Sequence, residues 1–139
     1  VRVAHQHTPM ATSDLLHLVT TGPADLLRLR NAGQIATGRP ADLTVLPNHA
    51  ADAGAALLNA SRKNVRLVMV GGRPLVGDSD FEPVFRERRV PTRAVSVDST
   101  AKMMDASVAR LLERSPIGED GVEVEPPATS RAYAFVTSR

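Results

Sequence analysis

Apolar positions in the first third of the chain recur at helical spacing. Leu15, Leu16, Leu18 and Val19 follow Thr12-Ser13-Asp14, which predicts a helix with Ser13 as its N-cap. Gly22-Pro23 predicts its stop, and Ala24 to Leu29 a second short helix, ended by a left-handed Gly33. The period then becomes alternating. Gln34 to Thr37 reads as extended and Gly38-Arg39-Pro40 as a turn. Ala41 to Leu46 reads as a half-buried strand, with Leu43 and Val45 on one face and Asp42 and Thr44 on the other. Residues 47–61 read as a loop with one or two helical turns. Val65 to Val70 and Arg73 to Val76 form a predicted hairpin around Gly71-Gly72, and Gly77-Asp78 closes it. Residues 78–92 read as polar and irregular, and Thr92 to Val97 as a further strand. Ser99 or Thr100 is expected to cap a helix reaching Arg114, with Ala101, Met104, Val108, Leu111 and Leu112 on one stripe. In the tail, Tyr133 and Phe135 suggest a last short strand. No internal repeat is present.

Composition narrows the possible chemistry. The 139 residues are 42% apolar, enough for a core, but with three Phe, one Tyr and no Trp its filling falls to Leu, Val and Ala. There is no Cys, which excludes disulfides, thiolate nucleophiles and Cys-ligated zinc. The net charge is only +2, and the high pI of about 9.7 reflects bases that are almost all Arg. The amino end, VRVAHQHTPM, lacks the apolar segment of a secretory signal, and no apolar run reaches the ~18 residues of a membrane span. A cytoplasmic location is the resulting expectation.

One ordered set of residues carries more information than any single motif. Thr20-Thr21-Gly22-Pro23-Ala24 leads into Leu26, Leu27 and Leu29. A G-x-I-x-x-G-x-x-A-D-L-x-V run follows, as Gly33, Ile35, Gly38, Ala41, Asp42, Leu43 and Val45, and then Val65, Val68 and Val70-Gly71-Gly72-Arg73 with Val76. Over residues 12–78 this resembles the C-terminal portion of metal-dependent amidohydrolases, where a last barrel helix with a T-x-x-x-A pattern enters a small β-sandwich. The resemblance implies an α/β parent with a TIM-like barrel and a composite sandwich. This chain would be its mixed α+β end: 1–31 the terminal helical part of the barrel, 32–98 a sandwich segment, 99–139 a C-terminal helix and tail. It also implies hydrolysis of C–N bonds in an amide, a cyclic amide or a deamination-type substrate. The cofactor would be zinc or another divalent metal. The family's ligands, an H-x-H pair, a bridging acid or carboxylated Lys, two further His and an Asp, would lie upstream of Val1. The segment would then be structural, its partner the remainder of the barrel, with a homo-oligomer possible and neither membrane nor nucleic acid expected.

The residues themselves support that restraint. His5-Gln6-His7 is an H-x-H, but His17 and His49 are the only other histidines and stand at no sensible ligand spacing. His17, on a Leu-rich helix, reads as structural or surface. No G-x-S-x-G elbow or phosphate-cradling loop occurs. No residue of this chain is therefore assigned a catalytic, cofactor-binding or metal-binding role, and the chain alone is expected to lack a complete active site. Arg62, Lys63, Arg66 and Arg73 lie in a stretch (53–77) without acids, and read either as a solvated sheet edge or as the contact strip of a stand-alone β-rich binding or oligomerisation module. Arg86, Arg88, Arg89 and Arg93 form a second cluster. A nucleic-acid-binding reading is weaker still, because aromatic residues for stacking are scarce and the second helix is short and apolar.

Overall fold

A computed structural model describes residues 6–7, 10–50 and 52–126. The hairpin around Gly71-Gly72 organises it. Both glycines have positive φ (56° and 79°), the two-residue turn whose twist suits antiparallel strands. The turn joins β2 (Leu67–Val70) to β3 (Arg73–Gly77), with a bulge between Val68 and Met69. Strand β1 (Leu43–Val45) pairs with β2, and its Leu43 and Val45 turn inward while Thr44 stays exposed, as the alternation predicts. Asp42 accepts the Gly71 N–H at 2.6 Å, pinning the approach to β1 against the hairpin turn.

The second half contains more regular structure than the sequence suggests. Residues 79–81 form a 3-10 turn that runs into a helix, Glu82–Glu87, where an irregular stretch is expected. The helix ends in a Schellman motif: Arg89 takes φ 55°, and the N–H groups of Val90 and Arg89 bond the carbonyls of Phe85 and Arg86. Strand β4 (Thr92–Val97) follows. The expected helix from Ser99 does not start there. Asp98 and Ser99 both have positive φ (48° and 63°) and turn the chain back into β5 (Thr100–Asp105). Ala101 and Met104 are therefore strand residues. The last helix, Ala106–Arg114, starts at an Asp105 cap whose carboxylate accepts the Ser107 N–H at 2.8 Å. It is followed by β6 (Val122–Val124). Tyr133 and Phe135 lie outside the described residues.

The six strands make one antiparallel sheet in the order β1-β2-β3-β5-β4-β6, so the described chain is mixed α+β. Neighbouring residues on β5 point to opposite faces, and each face is covered. Met103 joins Leu67, Met69 and Phe85 beneath the 82–87 helix. Met104 joins Val95, Val97 and Ala109 beneath the 106–114 helix. The two halves of the sheet meet along a short seam, Val76 with Met104 and Gly77 with Met103.

The amino-terminal helices differ from expectation in their ends. Helix α1 (Thr12–His17) begins at an Ala11 cap, and Ser13 makes no capping bond. Thr12 instead donates to Asp52 (3.1 Å), the residue that caps α3 (Ala53–Asn59) by accepting the Ala55 N–H. Gly22-Pro23 does not separate the two helices but lies in the first turn of α2 (Thr21–Leu26), where a proline removes no helical hydrogen bond. Helix α2 stops at Leu26. Arg28 takes φ 55°, and the Leu29 and Arg28 N–H groups bond the carbonyls of Ala24 and Asp25, a second Schellman closure. Residues 34–37 form no strand. No helix among the described residues is long and apolar enough to cross a membrane.

Candidate functional site

Helices α1 and α2 bury little of their own apolar surface. Leu15 and Ala24 are buried, but Leu18, Val19, Leu26, Leu27, Leu29 and Ile35 are not. Leu26 is 84% and Ile35 88% exposed, and six of the nine large exposed apolar side chains of the described residues fall between 18 and 35. The local chemistry holds this surface in place. The Thr20 hydroxyl donates to the Leu16 carbonyl at 2.6 Å, and the Thr20 carbonyl accepts the Ala24 N–H, so the T-x-x-x-A spacing becomes a helix start with Ala24 turned inward. Gly33 fits where only glycine does. Its φ is 80°, and a Cβ would lie 2.7 Å from the Thr20 carbonyl oxygen. It thus presses the loop after α2 against the helix start rather than capping a helix.

The histidines do not converge. His7, His17 and His49 are exposed, and His17 Nδ1 lies 2.7 Å from the Thr21 hydroxyl, which ties the corner between the two helices. His5 lies outside the described residues. Among the described residues no three His, Asp or Glu side chains come close enough to hold a metal ion. The described side chains therefore do not fit a metal centre.

The expected basic strip is largely neutralised within the molecule. Arg62 reaches Asp98 through two nitrogens (2.5 and 3.2 Å), Glu119 at 2.7 Å and the Asp120 carbonyl at 2.6 Å. Its hydrogen bond to Asp98 raises the guanidinium pKa and holds the carboxyl below the usual carboxylate range. Arg73 donates to Asp105 at 2.6 Å. Burial pushes the Asp105 carboxyl up, but the hydrogen bonds from Arg73 and Ser107 outweigh it, and the net effect is downward. Arg66 bridges Asp78 (3.4 Å) and Asp80 (2.6 Å) with its guanidinium 5.3 Å from the Phe81 ring centroid. Of the four residues only Lys63 has no hydrogen-bonded acid. Arg93 is likewise held by Glu113, at 2.9 Å.

Sequence reasoning missed a buried group that joins the two halves. Lys102 is buried, and its ammonium donates to the Val65 carbonyl at 2.9 Å and to Asp78 at 2.5 Å. Its only signal was position: a lone Lys in the apolar run 101–104 reads as the polar side of a helix, but on a strand it faces the same side as Val95 and Met104.

A family model described as the amidohydrolase family matches residues 2–76, 75 of the 139 positions. The matched span contains helices α1, α2 and α3, the apolar face, β1, β2 and nearly all of β3. No curated protein and no solved structure matches the chain.

Proposed function

The chain belongs to the amidohydrolase family, and from that premise we propose that it is a structural, C-terminal portion of a hydrolase acting on C–N bonds other than peptide bonds. The substrate class would be an amide, a cyclic amide or an amino-heterocycle, attacked by water on a divalent metal such as zinc. The described side chains do not fit that metal, so this segment is assigned no step of the reaction. Its role is to close and brace the catalytic barrel, with the β-sheet unit as part of the accompanying sandwich.

The apolar face from Leu18 to Ile35 carries this reading. Burying a Leu or Ile side chain is worth about 1.5–3 kcal/mol, so a surface with Leu26, Leu27 and Ile35 largely in water has the character of half an interface. It lies inside the matched span, on the elements where the resemblance places the last barrel helix. The chain incubated with zinc or manganese and a panel of amides, cyclic amides and amino-heterocycles is expected to show no turnover. Hydrolysis that a chelator abolishes would overturn the structural assignment.

A further inference from the structure

We propose that the cleft where the family-matched part meets the following strands is a binding site for a small oxyanion, a carboxylate or a phosphate. The cleft, about 370 Å³, has Lys63, Asn64 and Arg66 on one side and Ser79, Thr100 and Lys102 on the other. Both acids in its lining are already engaged. Asp78 accepts from Lys102 and Arg66, and Asp80 from Arg66, so these four charges cancel. Lys63 then leaves one net positive charge in the lining. The Lys63 charge also acts on Asp98, which is itself held by Arg62.

The donors left over set the ligand class. An ammonium has three N–H donors, and that of Lys102 uses two, for Val65 and Asp78. Its side chain is 2% exposed, so the third donor is largely withdrawn and the accessible donors come from its neighbours in the lining. Arg66 spends Nε and Nη2 on acids, which leaves Nη1. The hydroxyls of Ser79 and Thr100 add two neutral donors to this set. A compact, multiply accepting anion matches such a set, and charge-assisted bonds of this kind are the stronger class. An amine or metal cation would meet the Lys63 charge and find Asp78 taken through both oxygens and Asp80 paired with Arg66 through one.

The 139-residue chain is titrated with sodium phosphate and, separately, sodium acetate, each against sodium chloride at equal ionic strength, while amide shifts are followed by NMR. Saturable shifts at residues 63–66, 79–80 and 100–102 are expected with at least one of the two anions, and which of them produces the shifts identifies the ligand. Lys63→Gln, at an exposed position outside the core, should keep the fold and weaken binding by about fivefold, the upper end for one exposed ion pair. Saturation by neither anion, or equal affinity in Lys63→Gln, would overturn the site.

Discussion

The helical region (residues 10–40) and the sheet region (41–126) use their apolar residues in opposite ways. In the sheet region each face finds a cover within the chain, and Phe85, Val95 and Ala109 are essentially removed from water. In the helical region only Leu15 and Ala24 are buried, while residues of the same type one turn away face outward. Hydrophobicity alone does not separate the two. What separates them is whether a second layer is supplied within the chain, and among the described residues the helical region has little of one.

The widest gap should appear on truncating side chains. Phe85→Ala is expected to cost about 3–5 kcal/mol by chemical denaturation, while Leu27→Ala stays within about 0.5 kcal/mol in this chain. A large loss at Leu27 would mean that its surface is already covered. Gly33→Ala should come next, at about 2 kcal/mol, because it combines a left-handed φ with a backbone collision. Hydrogen exchange should place that loss in residues 12–31 and leave β4 and β5 protected; uniform loosening would show that the two regions unfold as one.

Asp105→Ala removes a buried carboxylate and a helix cap, and about 2 kcal/mol is expected from thermal melts. The same group sets an acid limit. Its folded pKa lies below the ordinary 3.8, so its stabilisation is present above that value and is lost as the pH falls below it. Asp98, held by Arg62, acts in the same direction. Melting temperature against pH should therefore fall below about pH 4, and less steeply in Asp105→Asn. The smallest effect concerns association: Leu26→Asp is expected to reduce dye binding and self-association without altering the sheet, and an unchanged sedimentation profile would argue against an apolar docking face.

The elements legible in the sequence share one feature, as do those that were not. Gly71-Gly72 announces its hairpin because glycine is the residue that adopts positive φ without cost, and the alternation of Leu43 and Val45 announces a half-buried strand. Four other left-handed positions are occupied by Arg28, Arg89, Asp98 and Ser99. Each sits where the expected structure went wrong: α2 ends early, a helix precedes Arg89, and β4 turns back into β5. Backbone hydrogen bonds, in two Schellman closures and the β4–β5 turn, hold these residues in a conformation that their side chains do not advertise. At the candidate site, the matched motif residues and the apolar stretch were visible. The engagement of Arg62, Arg66 and Arg73 was not, because their acids lie far along the chain, at 98, 119, 78, 80 and 105.

The seam between β3 and β5 bears on where this chain can be divided. The family match ends at residue 76, inside β3 and at the first of the two residues that pair with β5. A polypeptide cut at that homology boundary would lose the partner strand of β3, the cover over Leu67 and Met69 contributed by Phe85, and the lysine that caps the Val65 carbonyl. What remained would present a bare strand edge beside an uncovered apolar face, a template for aggregation. The span that matches the family is thus shorter than the one that pairs and covers its own strands, which reaches into the later residues.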